Sequence, residues 1–214
     1  MVASTGQAAR HPVLASLPLL PLLLLIAVLL SGSGCGSRES ESDLSAPRVF
    51  DLSDGLINPF GPFQSNEVKA LVFLFVSTDC PISNRYAPQV KRLHERFGPR
   101  GVEFRLVYPN AATSAAAARR HLEEYGYGFG GLRDPQHALV RRAGATVTPE
   151  AAVFGPDGRL LYRGRIDDRF PALGTERGAP TQHDLENALS AILEGRPVTN
   201  RLTRATGCYI ADLP

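Results

Sequence analysis

The stretch LVFLFVSTDCPISNRY, residues 71–86, decides how this chain is read. Its first part, LVFLFV (71–76), is a continuous apolar run rich in Val and Phe, the pattern of a strand covered on both faces. Pro81 opens the next segment, and proline is favoured at the first helical position, where its missing N–H is not needed. Cys80 stands at the junction. The thiolate is the reactive form of cysteine, and a helix start stabilises it through free N–H groups and the macrodipole. Asp79 works against this, because a neighbouring carboxylate disfavours a second anion. The bland alternative for Cys80 is a small inert hydrophobe at a strand end.

Outward from this junction, strand-like and helix-like stretches alternate. Val90, Leu93, His94 and Phe97 recur at helical spacing up to Gly98, and GVEFRLVY (101–108) alternates as a strand does. Thr113 or Ser114 can cap a helix that runs to Tyr125 and stops at Gly126. GYGFGG (126–131) reads as a loop, and Asp134-Pro135 as the start of a short helix ending near Gly144. AAVF (151–154), the turn at 155–158 and RLLYRG (159–164) form a hairpin. Thr181 with Asp184 resembles a capping box for a last helix, whose apolar stripe is Leu185, Ala188, Leu189 and Ile192. The order β-α-β-α-(α)-β-β-α predicts an α/β domain, a central mixed β-sheet flanked by helices.

The ends of the chain read differently. Arg10 and His11 precede an apolar run from Val13 to Leu30, and small residues lead to Cys35, the layout of a secretory signal. Cys35 resembles the lipidated acceptor cysteine of a bacterial lipoprotein; cleavage after Ser33 and an uncleaved anchor are the alternatives. The organisation expected is a signal peptide or anchor over 1–35, a flexible Ser/Glu-rich linker over 36–47, the domain over 48–195 and a tail over 196–214. The protein is expected to be exported and membrane-anchored, facing the periplasm or cell exterior. A formal net charge of +2, with no dense basic cluster, gives no electrostatic case for nucleic acid.

FVSTDCP (75–81) and, about seventy residues on, Val147-Thr148-Pro149 before an apolar strand together resemble the thioredoxin superfamily, in particular its redoxin (AhpC/TSA) branch, over roughly 48–195. The resemblance implies a thioredoxin-like fold, a cis Thr148–Pro149 bond beside the reactive sulfur, and thiol redox chemistry at Cys80. Thr148 and Pro149 would shape the substrate groove. The second cysteine of a Cys-x-x-Cys motif is replaced by Ser83, which can hydrogen-bond a thiolate but cannot resolve a mixed disulfide.

Several activities fit. In thiol–disulfide exchange, Cys80 is the nucleophile and Cys208 in the tail resolves the product; Cys208 could equally stand apart, or form a permanent staple with Cys80. A thiol peroxidase is supported by Cys80-Pro81 and by Ser77, three residues before the cysteine. It is opposed by Phe73, where that family carries proline, and by the missing arginine before the later strand. Ser77 and Ser83 are both placed to donate to the sulfur. A copper metallochaperone would need a second soft ligand; Ser83 is not one, and His137 and His183 read as helix-surface and first-turn residues, so no metal and no dissociable cofactor is expected. A binding module without catalysis is the remaining reading. The partners expected are thiol/disulfide proteins or a peroxide. Asp167-Asp168 with Arg163 and Arg165 reads as a solvated mixed-charge turn, and the long stretch 169–182 as a loop overhanging the site.

Overall fold

The computed structural model describes residues 47–211 and 213. Cys35, the signal or anchor segment and nearly all of the linker lie outside them. Among the described residues, no helix is long and apolar enough to cross a membrane.

The apolar run after Lys69 forms β3 (Ala70–Phe75), following the short strands β1 (Val49–Phe50) and β2 (Leu56–Ile57). All six side chains of β3 are buried, and they alternate between two cores. Ala70, Val72 and Leu74 face a cluster containing Val90, Leu93, Leu185 and Leu189, whereas Leu71, Phe73 and Phe75 face one containing Leu139, Val140 and Phe154. This period of two in a strand covered on both faces explains the unbroken hydrophobic run.

β3 pairs in parallel with β4 (Val102–Tyr108) and antiparallel with β7 (Glu150–Phe154). With β5 (Gly131–Arg133) and β8 (Leu160–Gly164), the seven-stranded order is β2-β1-β5-β4-β3-β7-β8. Helix α1 (Pro81–Arg85) is followed directly by α2 (Ala87–Phe97), the two meeting at Tyr86. α3 (Ala115–Glu124) is capped by Ser114, whose hydroxyl accepts from the Ala117 amide at 3.1 Å. α4 (Ala138–Ala143) and α5 (Asp184–Leu193) complete the helices that flank the sheet. The mixed sheet and its flanking helices are those read from the sequence.

Three local expectations are corrected. The Gly-rich loop ends in β5, which pairs with β4 because Gly131 fits against the Tyr108 ring, where a Cβ would sit 3.0 Å from it. The short helix starts at Ala138, because both carboxylate oxygens of Asp134 accept backbone amides, from Ala138 and Val140, each at 2.8 Å. Thr181 does not cap α5: its hydroxyl is engaged by Asp168 at 2.6 Å, and His183 takes the cap position without a side-chain bond.

Beyond α5 the tail runs back across the domain. The Arg163 amide donates to the Arg201 carbonyl at 2.8 Å and the Arg163 carbonyl accepts the Thr203 amide at 3.0 Å, the Thr203 hydroxyl meets Tyr162 Oη at 2.7 Å, and β9 (Cys208–Tyr209) pairs antiparallel with β6 (Val147–Thr148). Ile210 closes the tail by entering the second core.

Candidate active site

Cys80 ends the loop after β3 as the N-cap of α1, with its amide donating to the Ser77 carbonyl at 3.3 Å. It is 2% exposed. The Thr148–Pro149 bond is cis, and the Cys80 thiol donates to the Thr148 carbonyl at 3.1 Å. Glu150, itself buried, holds this turn: its carboxylate accepts the Thr146 amide at 2.8 Å and the Val147 amide at 3.3 Å.

The tail completes the arrangement. β9 places Cys208 opposite Thr148, and Cys208 Sγ lies 3.0 Å from Cys80 Sγ across 128 residues of sequence. Both cysteines are free thiols, one buried and one exposed. Burial alone would raise the Cys80 pKa, but the hydrogen bond from Cys208 and then polar contacts from Ser83 outweigh it, so the net direction is downward from the usual thiol value. The buried Ser83 hydroxyl makes no hydrogen bond of ordinary geometry, so Cys208 is the principal donor. Cys208 is pushed up to about 11, first by desolvation and then by its bond to Cys80 and the charges of Cys80 and Asp79.

Ser77 is placed differently from its expectation. Its hydroxyl donates to the Asp79 carboxylate, which spends its one proton away from the sulfur. Ser77 nonetheless lines a cavity of about 170 Å³ together with Cys80, Pro109, Asn110, Thr148 and Cys208. A second, larger groove of about 910 Å³ also has Cys208 in its lining and is walled by Pro81, Ile82, Tyr125, Phe170 and Leu173 with Asp79, Arg85 and Glu176 among its polar members.

Several supporting residues carry no readable signal in the sequence. Asn84 donates to the Thr78 carbonyl at 3.1 Å and accepts from His121 Nε2 at 3.0 Å, while His121 Nδ1 accepts from the Tyr108 hydroxyl at 2.9 Å. Desolvation holds the His121 pKa below its usual value, against the opposing charge of Glu124, so the neutral ring braces the active-site turn. A histidine on an amphipathic helix looks like any surface residue until the sheet beneath it is known.

The Asp167-Asp168 turn is not solvated, and this expectation is corrected: both carboxylates are buried. Asp167 accepts the Tyr86 hydroxyl at 2.7 Å and the Arg169 amide at 2.9 Å. Asp168 accepts the Thr181 amide and hydroxyl, each at 2.6 Å, and the Gln182 amide at 3.0 Å. The two carboxylates thus clamp both ends of the 169–182 loop, whose Phe170, Leu173 and Glu176 wall the larger groove. Arg165 pairs with Asp184 at 2.6 Å. His137 is also buried rather than on a helix surface, with Nε2 bonded to the Pro109 carbonyl at 3.0 Å. Among the described residues, no group of three or more His, Cys, Asp and Glu could hold a metal ion.

A family model described as Redoxin matches residues 58–179. The structure of an uncharacterised conserved protein from Geobacillus kaustophilus is similar at 28% identity and a TM-score of 0.66, covering 79% of this chain and 90% of that one. A hypothetical protein from Sinorhizobium meliloti 1021 gives 24% identity and a TM-score of 0.65 over 76% of this chain and 88% of that one. A Chlorobium tepidum protein, provisionally assigned as the thiol:disulfide interchange protein DsbE, shares the fold at 18% identity and a TM-score of 0.50, over 69% and 94%. No curated protein matches the chain.

Proposed function

The chain belongs to the Redoxin family, with a thioredoxin-like fold, and on that premise we propose that Cys80 and Cys208 form a redox couple that cycles between two thiols and one disulfide. The observation that carries this reading is the 3.0 Å approach of the two sulfurs, delivered by a tail that is held against β6. Cys80 is the nucleophile. Its thiolate attacks one sulfur of a disulfide substrate, forms a mixed disulfide and releases the other sulfur as a thiolate. Cys208 then gives its proton to that leaving thiolate and attacks Cys80, closing the Cys80–Cys208 bond and freeing the second substrate thiol. The position left open by Ser83 is thereby filled from the far end of the chain.

A second reading, peroxide reduction, is favoured by the small cavity that reaches Cys80. There the thiolate would attack one peroxide oxygen, breaking the O–O bond to give a sulfenic acid and releasing the other oxygen as hydroxide, and the Cys208 thiol would condense with the sulfenic acid, releasing water. Export and tethering through Cys35 belong to this proposal as the setting in which such a couple would work.

The test is thiol counting by mass spectrometry on the full chain. The reduced protein meets either bis(2-hydroxyethyl) disulfide or one equivalent of hydrogen peroxide. The expected result is joint loss of labelling at Cys80 and Cys208, with Cys208→Ser stalling as a mixed disulfide on Cys80. Faster reaction with peroxide than with the disulfide selects the second reading. If Cys80 reacts with neither, the enzyme gives way to a binding module.

A further inference from the structure

Among the described residues four large apolar side chains stand well out of the surface, and three of them share one place. Leu173, Leu202 and Tyr209 are 63%, 65% and 81% exposed, and all three line one groove of about 850 Å³. The fourth, Leu56, lies on β2 at the far edge of the sheet. Single exposed leucines are ordinary, but three apolar side chains around one groove mark an interaction surface.

The free charge of this surface has one sign. Among the described residues lining the groove the one carboxylate is Glu150, which is buried and pairs with Arg163 at 3.6 Å. Arg204 lines the groove and Arg201 stands next to Leu202 in the chain; both are exposed, and neither meets a carboxylate among the described residues.

The strand register shows where the chain enters. β1 runs antiparallel to β5 with Phe50 opposite Arg133, and Arg133 lies opposite Tyr108, the last residue of β4. The chain before Val49 therefore lies beyond the C-terminal ends of β4 and β3. Cys80 follows that same end of β3, and Thr148, with β9 beside it, precedes Glu150, which pairs with Phe75 there. Entry point, Cys80 and Tyr209 thus share one end of the sheet. The eleven residues between Cys35 and Pro47 stretch to about 40 Å at most.

We propose that Leu173, Leu202 and Tyr209, flanked by Arg201 and Arg204, dock the domain onto the anionic lipid surface of the bilayer that tethers the chain. This inference deepens the reading of export and tethering above. A tether entering at this end keeps the patch within reach of lipid, so a small surface suffices at the high local concentration. Peripheral binding grows with the apolar area inserted and with cations facing anionic headgroups. Tyrosine suits that depth, with its ring among the acyl chains and its hydroxyl in water. Leu173 also walls the groove of about 910 Å³, so docking brings that groove to the bilayer and to substrates carried in or on it.

The chain contains no tryptophan, so one introduced at position 209 reports on this face alone. Full-length Tyr209→Trp is reconstituted with vesicles of seven parts phosphatidylcholine to three parts phosphatidylglycerol, with and without dibromo-phosphatidylcholine. Arg159→Trp, beside the β7–β8 turn at the opposite end of the sheet, is the reference. Flotation is read first: a chain that does not float with the vesicles overturns the tether, and the docking with it. For a chain that floats, the expected result is at least two-fold quenching by bromolipid at position 209 and less than a tenth at position 159. Equal quenching at the two positions, or none at 209, overturns the docking and leaves the tether standing. Absence of quenching at 209 is also what results if the acidic stretch with Glu39, Glu41 and Asp43, or a protein partner, covers the groove. In a further arm, adding Leu202→Ser and Arg204→Glu to Tyr209→Trp brings its quenching down to the reference level while the chain still floats. Unchanged quenching there removes this face from the proposal.

Discussion

Gly207 lies flat against the Thr148 carbonyl: a Cβ at this position would stand 2.6 Å from the Thr148 carbonyl carbon and nearer still to its oxygen. Glycine is the residue that permits so close an approach of two backbones. The contact is what lets β9 bring Cys208 over Cys80. Gly207→Ala is expected to lift the tail from β6 and lower the effective concentration of Cys208 at Cys80 at least ten-fold. A redox titration against glutathione reads this as an easier-to-reduce couple; an unchanged equilibrium would show that the Gly207 contact does not set the tail's position.

The two thiols should separate by pH. Only the thiolate alkylates, and Cys80 lies below the usual thiol value while Cys208 lies at about 11. Iodoacetamide is expected to modify Cys80 at a lower pH than an ordinary thiol, and Cys208 increasingly as pH rises towards 11. Cys208→Ala removes the principal donor and leaves the burial, so the Cys80 titration then moves upward. A Cys80 profile identical in the variant would contradict the hydrogen-bond account.

Asp168 should hold the overhanging loop in a pH-dependent way. Bonds from the Thr181 hydroxyl and then the Gln182 amide place its pKa well below the usual carboxylate value. A depressed folded pKa stabilises above the unfolded value, about 4, and that contribution fades as pH falls towards the folded one. Pepsin cleavage within 169–182 is therefore expected to rise as pH drops below about 4. At neutral pH, Asp168→Ala should increase trypsin cleavage at Arg169 and Arg177 several-fold. Unaltered cleavage in the variant would mean that other contacts hold the loop.

Phe73 serves the fold. It is fully buried in β3, with edge contacts to Phe60 at 5.7 Å and Phe154 at 5.8 Å between ring centroids, and strands pair with it on both sides. Phe73→Ala should cost about 3–5 kcal/mol in urea unfolding. Phe73→Pro should cost at least as much, because a central strand cannot give up a ladder bond. A loss under about 1 kcal/mol for Phe73→Ala would contradict the packing described.

The strand–cysteine–helix junction at 71–86, the alternation of elements and the Thr148–Pro149 turn are legible in the sequence because each rests on local rules: period-two burial, proline at a helix start, and a dipeptide at a strand's entrance. Cys80 could be singled out for the same reason. What stayed open was the meaning of Cys208. A sulfur 128 positions away has no periodicity that ties it to Cys80. Its place depends on Thr203 meeting Tyr162, Gly207 meeting Thr148, and Ile210 entering the core, all of them contacts between segments far apart in the chain.

The same division explains the Asp167-Asp168 turn. Adjacent charges read as solvated, since burial of a carboxylate is unfavourable unless donors converge on it. Here the donors are Tyr86, from an earlier helix junction, and Thr181, from the far end of the loop. Local sequence determined which residues become strand and helix and which cysteine stands at the junction between them, because those preferences are set within a few positions. Tertiary structure alone decided which second sulfur Cys80 meets and which of the two cysteines is exposed. Those outcomes depend on how distant segments share one surface.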